Sequence, residues 1–376
     1  MGKIGNQQML RDINKSLLLH LVYHHGPISR VDLARRTKLS PTTVSVLMED
    51  AIREGMIHET GTSGSGVGRR MTLLDIREDN GFVLGFDLSN APARCVLLNL
   101  RGKVMAMKPL RKLIGEQEIR SGLAAMIDGF VAEERVPREL IRWVGLSLPG
   151  WLDEERDRLI YSDYLQVRDM PLRRMLHEAL GLPVGLVNDL DAAGFAERFS
   201  GSAKGLHTIV YILIGYGVGA GLVLRDQIYR GVAGKAGMIG DFYPYGTEIL
   251  AARLAAQYPE AFGEGEPDEK IARFVRLGLQ GEAPYAAELG EITERIASYC
   301  GNMVQLLDPE QLILSGWISE HEAYLAELTA RIRHYEGWNR REAPVPVQAP
   351  YWKEYGAAIG AATLGLHQLF KMKTVD

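Results

Sequence analysis

Cysteine is nearly absent from this 376-residue chain: Cys95 and Cys300 are the only two. They exclude a disulfide framework and a four-thiolate zinc site built from this chain alone. No run approaches the ~20 apolar residues needed to span a bilayer. Residues Met1 to Leu10 lack the apolar stretch of a secretory leader. Strong net charge is missing too, with 43 Lys+Arg against 47 Asp+Glu for a balance of −4. What is present is ordinary: 46% hydrophobic and 24% charged residues exclude a disordered or fibrous chain. At roughly 150 residues per domain the length suggests two or three domains. The expectation is a soluble cytoplasmic protein with no membrane partner, no metal and no cofactor.

The charge is unevenly spread. Residues 1–75 hold ten Lys+Arg against seven Asp+Glu, which leaves the remainder seven negative. A mildly basic head on an acidic body hints at an anionic partner for the head. Met9, Leu10, Ile13, Leu17, Leu21 and Val22 recur at helical spacing from Asn6 to His25, and Gly26-Pro27 ends that run. Ser29-Arg30-Val31-Asp32 reads as a capping box opening a short helix to about Thr37. Ser40-Pro41 pairs an N-cap with the residue best tolerated at a first helical position. It opens a third helix to about Glu54 that buries Val44, Leu47, Met48 and Ile52.

Two short helices joined by a tight turn form a helix-turn-helix. Ser40, Thr42, Thr43 and Ser45 would present hydroxyls to base edges and phosphates, with Arg30 and Arg35 as phosphate clamps. Met56–Glu59 and Met71–Leu74 read as strands flanking a Gly-rich hairpin tipped by Arg69 and Arg70, a wing suited to the minor groove. The alternative is a plain three-helix bundle with a linker. A winged helix-turn-helix bound to double-stranded DNA is the preferred reading.

Beyond Asn80 the pattern is α/β. Strands at Phe82–Leu88, Arg94–Asn99 and Val104–Pro109 precede a helix at Glu116–Glu134, then strands at Trp143–Leu148 and Val184–Asn188 and a helix at Ala192–Phe199. The order restarts with Thr208–Ile214, Ala220–Leu224 and Ile228-Tyr229. A helix at about Ala287–Leu307, a strand at Gln311–Leu314 and a last helix from Tyr355 to about Phe370 complete it. Such a repeat suggests duplicated α/β lobes around a cleft. Gly215-Tyr216-Gly217-Val218-Gly219-Ala220-Gly221 could cradle a phosphate or simply make a tight turn. Asn188-Asp189, at a strand C-terminus, is the better ligand site; Asp189 could hydrogen-bond a sugar hydroxyl or cap the following helix.

Together these motifs resemble the transcriptional repressors of the ROK (repressor, open reading frame, kinase) family. The resemblance rests on Ile28-Ser29-Arg30, Leu39 to Ser45 and Gly68-Arg69-Arg70 in the head. In the body it rests on Gly85-Phe86-Asp87-Leu88, Gly145 to Gly150, Val187-Asn188-Asp189, Gly215 to Gly221, Tyr229-Arg230-Gly231, Asp308-Pro309-Glu310 and Gly360-Ala361-Ala362. It implies a winged helix-turn-helix followed by a duplicated ribonuclease-H-like, actin-like two-lobed domain. It further implies a homodimer, with a tetramer as the alternative, that reads a palindromic operator and holds a sugar-like effector between the lobes. The expected division is 1–78 for the DNA-binding head, 79–187 for the first lobe with the terminal helix 355–376 packing back on it, and 188–354 for the second lobe and dimerisation.

Departures from the family pattern narrow the reading. Asp87 is followed by Leu88-Ser89-Asn90-Ala91-Pro92, without the glycines and threonine of the kinases' phosphate loop, and Tyr216 crowds the second loop. A base at Asp189 without a phosphate cradle transfers nothing, so kinase activity is rejected. The family's zinc cysteines are missing. Met238 and Asp241 stand where the family has a sugar-contacting Glu and His, and Tyr164 aligns with its sugar-contacting Asn. The expected effector site is therefore Gly150, Tyr164, Asn188, Asp189, Met238 and Asp241. The acidic set Asp163, Asp189 and Asp241, with Tyr164, would suit a polyol or a cationic amino sugar. The leading expectation is a repressor of carbohydrate-use genes. Its rivals are an effector-independent DNA-binding protein with a vestigial cleft and a sugar kinase with a regulatory head.

Overall fold

A computed structural model describes residues 7–63, 71–335 and 343–373. The head begins with helix α1 (Gln7–His25), a two-residue strand β1 (Ile28–Ser29) and helix α2 (Arg30–Thr37). Helix α3 (Pro41–Arg53) and strands β2 (Ile57–Ser63) and β3 (Met71–Ile76) complete it. The Ser29 hydroxyl receives the Asp32 amide at 3.1 Å, and Ser40 receives that of Thr43 at 3.0 Å, so both predicted caps form. The expected capping box differs in its second half: the Asp32 carboxylate accepts the Ser29 hydroxyl, at 2.7 Å, instead of an N-cap amide. β2 and β3 pair as an antiparallel hairpin, and β1 adds to β3, giving the sheet order β1-β3-β2 of a winged helix. Arg69 and Arg70 lie outside the described residues.

The first lobe contains β4 (Phe82–Asp87), β5 (Ala93–Asn99), β6 (Val104–Leu110), α4 (Glu116–Glu133) and β7 (Ile141–Leu148). After it come the short strands β8 (Trp151–Leu152), β9 (Leu159–Ser162) and β10 (Val167–Met170), then α5 (Leu172–Leu180) and β11 (Val184–Asn188). Its sheet has the order β11-β7-β4-β5-β6, while β8, β9 and β10 form a separate small sheet. Helix α6 (Asp189–Ser200) then leads into the second lobe: β12 (Ile209–Ile214), β13 (Val218–Leu224), β14 (Gln227–Ile228), α7 (Thr247–Gln257), α8 (Pro259–Phe262), α9 (Pro267–Leu279) and α10 (Tyr285–Leu307). It ends with β15 (Gln311–Gly316), α11 (Trp317–Glu320), α12 (Glu322–Tyr335) and β16 (Val347–Gln348). The sheet order β14-β13-β12-β15-β16 repeats the first lobe's arrangement of an antiparallel meander with two further strands added in parallel. The duplication read from the sequence is therefore a duplication of topology.

The last helix, α13 (Gly356–Leu369), is the centre of the molecule. Glycines let it lie directly on the first sheet, because a β-carbon on Gly85 or Gly145 would overlap the carbonyl oxygens of Ala358 and Ala361. Gly360 permits the same approach to Ala192 of α6. One buried cluster runs from Leu18, Val22 and Met48 of the head through Val83, Val96 and Leu98 of the first sheet to Ala358 and Phe370. Head and body thus share a core.

Candidate effector cleft and DNA-binding face

Local sequence positions the cleft. Five consecutive residues of β11 pair in parallel with β7, so both strands deliver their C-terminal ends to one side of the sheet. Asn188 caps α6 by accepting the amides of Leu190 and Asp191, at 3.0 and 3.3 Å, and its own amide donates to the Gly150 carbonyl at 3.1 Å. Gly150 adopts φ +112°, which a side-chain-bearing residue rarely tolerates. Asp189, expected as a possible cap, is instead the first helical residue beyond one.

Asp87 is fully buried at the end of β4. It accepts the Ser147 hydroxyl at 2.9 Å, the Ser89 hydroxyl at 2.8 Å, the Ser89 amide at 3.1 Å and the Asn90 amide group at 2.7 Å. Ser89 and Asn90, which take the place of a glycine-threonine loop, fold their own side chains over the carboxylate. Burial still raises Asp87 above the ordinary carboxylate range. Asp189 is pushed up to about 8, first by burial and then by the charge of Asp87. Tyr164 belongs to the same electrostatic neighbourhood: burial, then Asp87 and Tyr216, push its phenol up to about 12. Lys112 lies 4.4 Å over its ring.

The glycine run is shared between two tasks. Gly215 and Gly217 close the β12–β13 turn through a 2.9 Å backbone bond. A β-carbon on Gly221 would overlap the backbone of Leu190, and one on Gly219 would press on the Leu190 side chain and approach the Gly237 carbonyl. The run therefore seats the start of α6 against β13 and brings the loop carrying Met238 to the same strand. Met238 is more than half exposed. The backbone of Asp241 lies in the 3-10 segment Gly240–Tyr245, while its side chain lies outside what is described.

Sequence reasoning missed three charged residues here. Asp191, nearly buried two positions after Asp189, is held by Arg230 Nε at 2.9 Å. Arg156, from the β8–β9 turn, brings its Nη2 to 4.0 Å from the same carboxylate oxygen. Lys235 sits 4.0 Å over the Trp151 ring. Their signal was weak because Asp191 lies 35 and 39 residues from Arg156 and Arg230, and Lys235 lies 84 from Trp151, although Arg230 lay inside a quoted motif. Among the described residues no group of three or more His, Cys, Asp or Glu could hold a metal, and no helix is long and apolar enough to cross a membrane.

On the head, Thr42 is exposed and Thr43 and Ser45 are half-buried along α3. The Ser40 hydroxyl is engaged by the cap and lies 2.8 Å from that of Thr43. Arg30, expected as a phosphate clamp, is engaged within the head. Its guanidinium holds Glu49 at 2.8 Å and Glu59 at 2.9 Å, bracing α2 against α3 and β2. Arg35 is exposed and pairs with Asp32 at 2.7 Å. The sequence reading overlooked Val46, half exposed one turn after Thr42, and the exposed Arg36 and Lys38 just before α3.

Residues 83–250 match the ROK family, and residues 11–58 match a winged helix-turn-helix DNA-binding family. The chain is 30% identical, over 96% of its length and 97% of the relative's, to a protein named "Putative xylose repressor" from Caldicellulosiruptor sp. (strain Rt8B.4). It is 24% identical to the DNA-binding transcriptional dual regulator NagC of Escherichia coli, covering 86% of this chain and 85% of that one. Among solved structures, a ROK family transcriptional regulator described as a homolog of the E. coli MLC protein superposes with a TM-score of 0.78. It has 20% identity and covers 96% of this chain and 97% of its own. A ROK hexokinase from Thermus thermophilus gives 0.63 at 25% identity, covering 77% of this chain and 99% of that one.

Proposed function

This chain belongs to the ROK family, and from that premise we propose that it is a sequence-specific DNA-binding repressor of carbohydrate-use genes governed by a sugar-like effector in the interlobe cleft. The observation that carries the reading is the shared core between head and body. The start of α6 lines the cleft, α6 packs along α13, and α13 ends against α1 of the head. An effector that favours one lobe arrangement over another can therefore change the placement of α3, provided it binds the two unequally. Thr42 and Val46 face the major groove, Val46 offering an apolar contact suited to a thymine methyl. Arg35, Arg36 and Lys38 supply phosphate contacts, and Arg69 and Arg70 reach the minor groove.

The chain acts as a homodimer on two half-sites, and it is not an enzyme. Ser89 and Asn90 occupy the turn where a nucleotide phosphate would need open backbone, and Tyr216 narrows the second turn. Selection of bound duplexes from a random library tests this. The expected result is one palindromic site whose affinity shifts when a sugar-like ligand is added. Enrichment of no motif, or steady ATP turnover with any sugar, overturns it.

A further inference from the structure

We propose that the cleft takes a sugar acid, a sugar-like ligand with one carboxylate that Arg156 receives beside Asp191 and Arg230; the inference rests on the effector reading above. The Arg156 side chain is only 22% exposed. Its Nη1 is interior and has no hydrogen-bond partner among the described residues, and its Nη2 stands 4.0 Å from Asp191, too far for a hydrogen bond. Arg230 already holds that carboxylate. Two guanidiniums thus share one carboxylate, and Arg156 has no hydrogen-bonded anion of its own among the described residues. Asp153 also acts on Arg156, but its Oδ1 is committed to the amides of Asp157 and Arg158 at 2.8 and 3.0 Å. Burial first, and Arg230 second, lower Arg156 to about 10, so it stays charged at neutral pH.

A withdrawn guanidinium nitrogen without a hydrogen bond is costly until a partner completes it. A planar carboxylate completes it with two parallel N–H···O bonds. The position suits a ligand spanning the cleft. Asn188 caps the helix that carries Asp189 and Asp191, and the Gly150 carbonyl that receives the Asn188 amide precedes Trp151, whose ring bears the Lys235 ammonium. Hydroxyls would meet the Asp189 end and the acid the Arg156 end. A cationic amino sugar, one of the sequence-based expectations, would face Arg156 and Arg230 unfavourably.

Calorimetric titration of the full chain with matched ligands decides the matter: glucose, gluconate, glucuronate, xylose, xylonate and glucose 6-phosphate, each at low and high salt. The expected result is a sugar acid binding at least about tenfold tighter than its neutral counterpart, with that advantage shrinking in salt. Arg156→Gln should abolish the advantage, so that a sugar acid and its neutral counterpart bind within about twofold of each other. If that variant does not fold, the acid-to-neutral ratio and its salt dependence in the native chain decide alone. Equal or tighter neutral-sugar binding overturns the sugar-acid class and leaves the effector reading standing. A phosphate ester outcompeting every carboxylate likewise overturns the class. Binding by none of the panel overturns both.

Discussion

A carboxylate can be present in a motif and yet not be a carboxylate in chemistry, and Asp189 illustrates it. Its pKa of about 8 lies above the ordinary 3.8, because burial and the neighbouring charge of Asp87 both oppose ionisation. The side chain is therefore mostly neutral at pH 7 and can donate a hydrogen bond to a ligand. The sign of the linkage follows. A raised folded value means the folded state binds the proton more tightly, so the associated stability is complete below about pH 4 and is lost as pH rises through about 8. Asp189→Asn cannot ionise. Its melting temperature should gain on that of the native protein between about pH 5 and about pH 9, by a few kcal/mol at most in stability terms. A constant difference across that range would refute the neutral assignment.

At the scale of elements, partners distant in sequence decide what a charged side chain does. Arg30 looks like a phosphate clamp because it follows an N-cap in a basic head. Its guanidinium is instead spent on Glu49 and Glu59, 19 and 29 residues away. Arg30→Gln should lower stability by ~0.2–1 kcal/mol, measured by urea unfolding, while the salt dependence of operator affinity keeps its slope. Arg35→Gln should do the reverse and lower that slope by about one; a slope change in the Arg30 variant would restore the clamp.

The legible parts of the fold were those written in local chemistry: Ser29 and Ser40-Pro41 as caps, apolar runs as strands, and glycine-rich turns. The β8–β10 sheet was not legible, since strands of two to four residues with few apolar positions carry no period. Asn188 and Asp189 were legible as the end of a strand leading into a helix, the place where ligands sit in α/β folds. The Arg156–Asp191–Arg230 group was not, because its three members meet only once two lobes are assembled. The glycine run, read as either a phosphate cradle or a tight turn, makes the turn at Gly215 and Gly217 and also packs against α6 through Gly219 and Gly221, a use visible only when the helix lies on them.

For the whole molecule, the junction of head and body decides whether the cleft can inform the DNA. Tyr23 stacks on Phe370 at 4.4 Å, a ring nitrogen of His20 lies 3.0 Å from the Phe370 carbonyl, and the Lys373 amide donates to Ser16 at 2.9 Å. Arg101 of the body pairs with Asp75 and donates to the Tyr23 carbonyl. Within this contact His24 of α1 lies 6.3 Å from His367 of α13, whose ring also meets Phe195 and Phe199 of α6. Burial, then His24, Arg198 and His20, push His367 from 6.5 down to about 4, against a small opposing pull from Asp226. His24 is lowered as well, first by burial and then by His20. At neutral pH the His367 ring is therefore neutral in the folded junction.

A depressed folded value means the unfolded chain takes up the proton first, so this stability is complete above about pH 6.5 and drains as pH falls toward 4. The loss for His367 alone should approach ~1 kcal/mol per pH unit across that window. Three elements meet at its ring, so the loss should fall on the joint between head and body before it reaches either sheet. Replacing His367 with Leu removes the titration, and the variant's stability should then fall less steeply than the native protein's between about pH 6.5 and about pH 5. Hydrogen exchange on the native protein should open α1 ahead of β4 and β12 over the same range. Equal pH slopes for the two proteins would show that the joint is held by its apolar contacts alone and that the histidines contribute only their shape.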